Sequence, residues 1–306
     1  METPHFQLHE IAPGVHAAIA TGSGAAVSNA SIVDLGDKTV VFDTFWTLDA
    51  ADDLEQVVRE LTGRSAFLVV NSHWHSDHVG GNQVFGDVPI VATARTVELI
   101  LANAPTDRDA YEEEVEGFLT FARRLAAQAS TPADEARAAG VLGTAEALDR
   151  SRGRFRLTMP NLLFDTTLTV EGSDRAMDLY TYGAGHTDSD TFAHLPEDGV
   201  LLMGDLLWAD MHPRTNDGHP SAWADTLDRI LDLTAPIVVP GHGEVATPEH
   251  ISAFSEYMRA VDRILSDLIV TGSSRDEIAD RPVPEGTEHW GGPNRFHDGL
   301  AVLMAR

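Results

Sequence analysis

The sequence predicts an α/β fold, a sheet covered by helices and carrying a helical insertion. Three observations predict it. Short apolar runs alternate with amphipathic stripes over the first third of the 306 residues. A stretch from about 104 to 157, rich in Ala, Glu and Arg, breaks that alternation. The strand-then-helix order then resumes and continues to about residue 270.

Taken in order, residues 27–34 (VSNASIVD) and 38–43 (KTVVFD) read as two strands joined by the turn Leu35-Gly36-Asp37. Leu48, Leu54, Val57, Val58 and Leu61 recur at helical spacing. Residues 67–70 and 89–92 are apolar enough for strands, and 96–101 for a helix. Within the insertion, Pro105-Thr106-Asp107 reads as a helix start. Tyr111, Val115, Phe118 and Leu125 then fall at roughly helical spacing, so two or three helices are expected. Residues 167–170, 177–182, 191–195 and 200–203 follow as short strands. A helix around 222–233, a strand at 237–239 and a helix from about 248 to 270 complete the pattern. The chain is read as one domain over 1–306, with a short C-terminal tail from about 271.

Composition bounds the function. Hydrophobic residues make up 43% and charged residues 23%, ordinary for a folded globular chain. Asp and Glu number 48 against 21 Lys and Arg, a formal net charge of −27, and Lys38 is the one lysine. Such a surface repels a phosphate backbone, so neither nucleic acid nor an anionic membrane is expected as a partner. No apolar run is long enough to span a bilayer. The opening METPHFQLHEIAPG lacks the basic-then-apolar order of a signal peptide, so a cytoplasmic location is expected. With no cysteine, thiolate metal ligands and disulfides are excluded.

Chemistry concentrates at NSHWHSDHVGGN, residues 71–82. His73 and His75 are two apart on an extended segment and project the same way. Asp77 and His78 follow where the chain enters a helix. Imidazole and carboxylate donors in this spacing suit zinc at about 2.0–2.2 Å, with iron and manganese as rivals. Three further donors each follow an expected strand: His186 in Gly185-His186-Thr187, Asp205 after Gly204, and His242 in Gly241-His242-Gly243. Strand ends are where α/β folds gather functional side chains. Seven donors are enough for two metals.

In that order, His73-X-His75-X-Asp77-His78, His186, Asp205 and His242 resemble the metallo-β-lactamase superfamily, over roughly residues 10–270. The resemblance implies a four-layer αββα sandwich. It implies that His73, His75 and His186 hold one metal, that Asp77, His78 and His242 hold a second, and that Asp205 bridges both. It also implies hydrolysis by a metal-bridging hydroxide that attacks a carbonyl, with Asp77 as both ligand and catalytic orienter. Two Zn2+ per chain are the expected cofactors, with Fe or Mn as the other candidates. Asp43, closing Val40-Val41-Phe42, resembles an aspartate that braces the metal loop.

The resemblance points less sharply to a substrate. β-Lactamases of this superfamily with the same histidine cluster typically place Cys where this chain has Asp205, and commonly a lysine shortly after it. This chain has neither. The aspartate resembles the glyoxalase II, lactonase and general metallo-hydrolase branches. A small acyl substrate (ester, lactone or thioester) is therefore expected, with weak β-lactamase activity as one alternative. A phosphodiesterase or nuclease is a further alternative, disfavoured by the charge. A di-iron redox member is another, disfavoured because it would normally be joined to a flavin-binding module. Candidate substrate contacts are Trp208, His212 and Arg214 after the bridging aspartate, and Tyr111 and Phe118 on the insertion, where an apolar lid would suit an acyl or aromatic group.

Overall fold

A computed structural model describes residues 3–22, 25–272 and 275–306. The chain divides into two compact units, residues 1–165 with 170–176, and residues 166–169 with 177–306.

The first unit is built on a seven-stranded sheet. Its strands are β1 (Phe6–Ala12), β2 (Val15–Ala20), β3 (Ala30–Asp34), β4 (Thr39–Phe42), β5 (Leu68–Val70), β6 (Ile90–Thr93) and β7 (Leu162–Phe164), paired in chain order. The β1–β4 pairings are antiparallel, and β4 through β7 run parallel. Parallel neighbours require crossovers. Helices α1 (Leu48–Thr62), α2 (Ser76–Val79) and α3 (Ala94–Asn103), then the insertion, supply them.

Helix α1 starts where the Thr47 side chain accepts the Ala50 N–H, and ends at Gly63 in the left-handed region. It buries Leu48, Leu54, Val57 and Val58, as its spacing predicts. Leu61, in the last turn, departs from that stripe and stays 38% exposed.

The insertion contains two helices, α4 (Arg108–Gln128) and α5 (Pro132–Arg150). Asp107 caps the first, and a Thr131–Asp134 capping box starts the second. They pack through Tyr111, Val115, Leu119 and Ala122 against Ala145 and Leu148. Arg150 and Arg154 then pair with Asp49 and Asp52 of α1.

The second sheet has the order β12-β11-β10-β9-β8, with β8 at Thr167–Glu171, β9 at Ala176–Thr181, β10 at Thr191–Leu195, β11 at Val200–Leu202 and β12 at Ile237–Val239. In the second unit, α6 (Pro220–Ile230) and α7 (Pro248–Thr271) form a core around Trp223, Phe254, Tyr257 and Met258. The tail is not a loose appendage. It carries α8 (Arg275–Ala279) and α9 (Asn294–Leu303), and it buries Trp290, Phe296 and Leu300 in the same core.

Among the described residues, five strands and α-helices exceed the sequence expectation: β1, β2, β7, α8 and α9. β1 is FQLHEIA with only Phe6 fully buried, so no run of apolar residues announces it. It forms because backbone pairing with β2 satisfies its N–H and C=O groups. Among the described residues, no helix is long and apolar enough to cross a membrane.

Candidate metal centre

In the first unit the cluster hangs from the end of β5. Asn71 and Ser72 carry the chain out of the strand, His73 and His75 stay extended, and α2 brings in Asp77 and His78. His73 Nε2 lies 3.0 Å from His75 Nδ1, and the His73 and His78 rings are 4.3 Å apart. His78 Nε2 is 3.8 Å from Asp77 Oδ2. His73 and His78 are fully buried, whereas the Asp77 carboxylate keeps 19% of its surface.

Asp43 holds this loop. Its Oδ1 accepts the Ser72 N–H at 2.7 Å, and its Oδ2 lies 2.7 Å from both Ser72 Oγ and His78 Nδ1. Ser72 Oγ in turn lies 2.9 Å from His73 Nδ1. Both imidazoles are thereby held through Nδ1, which turns the Nε2 atoms towards the other donors. Burial pushes the Asp43 carboxyl up, and His78 opposes that rise. The expectation that Asp43 braces the loop agrees with these contacts. Gly81 has a physical reason as well: a Cβ there would lie 2.1 Å from the Thr44 carbonyl, so a side chain would drive the two loops apart.

In the second unit, His186 follows β9, Asp205 sits in the 3-10 turn Gly204–Leu206 after β11, and His242 follows β12. Asp205 lies between the two histidines. Its Oδ2 is 3.2 Å from His186 Nε2, and its Oδ1 is 3.3 Å from His242 Nε2. All three side chains are buried. Gly241 makes room, since a Cβ there would lie 2.0 Å from Asp205 Oδ1.

The donor chemistry fits a metal. Two ligand atoms, each about 2.1 Å from one tetrahedral ion, lie about 3.4 Å apart. The 3.0, 3.2 and 3.3 Å separations seen here are close to that figure. His and Asp side chains therefore form clusters that can hold metal ions.

One contributor escaped the sequence reading. Asp190 is buried, and its carboxylate accepts the Thr187 N–H and the Thr187 hydroxyl, both at 2.9 Å. An acid four residues beyond His186, in HTDSD, was the available signal.

The expected substrate contacts divide. Tyr111 is 8% exposed, stacks on Phe155 at 4.0 Å, and donates its hydroxyl to the Leu148 carbonyl at 3.2 Å. These contacts make it a packing residue of the insertion. His212 is fully buried, with Nδ1 3.0 Å from the Tyr257 hydroxyl. That burial also lowers its pKa. Trp208 is 3% exposed and stacks on His242 at 3.8 Å, with the Arg295 guanidinium 5.1 Å from its ring. It props a histidine of the cluster. Phe118 is half-buried against Trp46 at 5.2 Å, and Arg214 is exposed.

Comparison with known proteins identifies the family and the fold. The family model of the metallo-beta-lactamase superfamily matches residues 23–242, and the chain belongs to that superfamily. A metallo-beta-lactamase type 2 from Bacteroides fragilis is 31% identical over 100 residues, which is 31% of this chain and 40% of that protein's length. The chain thus spans less than half of that relative. A metallo-beta-lactamase type 2 from Bacillus cereus is 23% identical over 239 residues, 76% of this chain and 73% of that one. Among solved structures, a metallo-beta-lactamase from Pontibacter korlensis superposes with a TM-score of 0.60 at 19% identity, covering 83% of this chain and 99% of the other. The DIM-1 metallo-beta-lactamase gives 0.61 at 17% identity, covering 85% and 99%. These likenesses establish the fold.

Proposed function

We propose that the chain is a dinuclear-metal hydrolase acting on the carbonyl of a small ester, lactone or thioester. The observation that carries this reading is Asp205, whose two oxygens face two different histidines, the arrangement a carboxylate shared by two cations needs. In this reading His73, His75 and His186 hold one ion, Asp77, His78 and His242 hold the other, and Asp205 serves both. Zinc suits an all-imidazole-and-carboxylate set, and iron or manganese would also fit. When bound, such a pair supplies a Lewis acid and lowers the pKa of water towards neutrality. The chain's own part is to orient. Asp43 and Ser72 hold His73 and His78, and the partly exposed Asp77 carboxylate would orient the attacking water.

The type 2 β-lactamase names of the relatives favour a second reading, lactam hydrolysis. Asp205 in place of a thiolate, and a single lysine at position 38, favour the ester, lactone or thioester. Indicator-monitored proton release separates the two readings, run on acyl-homoserine lactones, aryl esters, S-lactoylglutathione and a β-lactam, with and without chelator. Chelator-sensitive turnover of an ester, lactone or thioester is expected. Asp77→Ala should abolish turnover while the far-UV CD spectrum is preserved. Turnover of the β-lactam alone would select the second reading. A fully metallated protein inert on the whole panel, or an Asp77→Ala variant of undiminished rate, would overturn the first.

A further inference from the structure

We infer that Asp190 is a positioning residue for His186, the second unit's counterpart of Asp43, and that it sets the affinity of the metal His186 binds. The inference rests on the dinuclear reading above and concerns a residue outside the seven donors.

The geometry begins with the turn that carries His186. The residues on either side of that histidine are tied to each other, because the Gly185 N–H donates to the Thr187 carbonyl at 2.8 Å. Thr187 is then gripped twice by Asp190, whose Oδ2 accepts the backbone N–H and whose Oδ1 accepts the hydroxyl, both at 2.9 Å. The Asp190 N–H donates to the Gly183 carbonyl at 3.3 Å, which closes the loop from its other end. A Cβ at Gly185 would lie 3.1 Å from Asp190 Oδ2, so the carboxylate also packs against the backbone just before His186. The imidazole therefore projects from a knot whose centre is one buried carboxylate.

The first unit repeats the device. Asp43 accepts the N–H and the hydroxyl of Ser72, the residue just before His73, as Asp190 accepts those of Thr187, the residue just after His186. In each unit a buried aspartate pairs with the donor atoms of a hydroxy residue adjacent to a ligand histidine. A buried carboxylate is costly unless its oxygens are satisfied, and simple loop closure does not need one. Groups that orient metal ligands from behind are worth about 10–100-fold in metal affinity.

The test is competition for zinc between a chromophoric chelator and the full chain, as wild type, Asp190→Ala, Asp190→Asn, Thr187→Val and Thr187→Ser. Wild type should hold two equivalents. Asp190→Ala should weaken one equivalent by about 10–100-fold and leave the other within about twofold. Thr187→Val, which deletes only the hydroxyl, should weaken the same equivalent by less, and Thr187→Ser should restore wild-type affinity. The Co2+-substituted spectrum should change in one of two components.

Thermal melts of metal-free protein identify variants that fold, and Thr187→Val keeps the test alive if Asp190→Ala does not. Folded variants that retain both equivalents at wild-type affinity would overturn the positioning role. So would loss of metal-free stability with unchanged metal affinity. A wild type that binds no metal would instead overturn the dinuclear reading itself, so the two failures are distinguishable.

Discussion

Asp190 also carries a pH signature. Burial pushes its carboxyl from 3.8 up to about 6, against the opposing pull of His186 and the Thr187 bonds. A carboxyl whose folded pKa lies above its unfolded value favours the folded state while protonated. That contribution is full below about pH 4 and is lost as pH rises through about 6. The difference corresponds to roughly 3 kcal/mol. In metal-free protein, Asp190→Asn should flatten the fall of Tm with pH across this window, as measured by calorimetry at several pH values. A slope identical to wild type would assign the ionisation to another group.

At the scale of elements, the insertion is held by two kinds of contact of unequal weight. Its helices bury Leu119 and Leu148 at 3% and 4% exposure, whereas Arg150 and Arg154 reach α1 as largely exposed ion pairs. Removing a buried leucine leaves a cavity and costs about 2–5 kcal/mol. An exposed ion pair is worth about 0.2–1 kcal/mol. Leu119→Ala should therefore lower Tm by several degrees more than Arg150→Ala. The reverse order would mean that the electrostatic tether, not the apolar core, seats α4 and α5. Phe118 packs against Trp46, whose carbonyl lies against Gly80.

Across the whole molecule, charge imbalance works against compaction. At −27, with 48 acidic and 21 basic residues, the carboxylates repel one another at neutral pH. Many of the arginines already sit in local pairs such as Arg64–Asp34, Arg152–Glu116 and Arg259–Asp228, so little cationic surface is left to offset the excess. Raising NaCl from low salt to about 0.3 M shortens the screening length and should raise Tm. A fall in Tm over that range would show that the paired arginines contribute more than the repulsion costs.

The donors of the candidate centre were legible in the sequence because their chemistry is local. HWHSDH needs only its spacing and residue types to announce a candidate metal loop, and the glycines beside His186, Asp205 and His242 mark strand ends. The main strands and helices were legible for the same reason, since apolar periodicity is a property of a short window. Tertiary structure decided what depends on partners distant in the chain. β1 exists through its ladder with β2, and the tail's Trp290 and Phe296 are core because α7 offers them a face. It also decided that Tyr111, Trp208 and His212 face inward, and that Asp190 closes on Thr187. Burial and hydrogen bonding are sums over neighbours that only the folded chain assembles, and no window of sequence contains them.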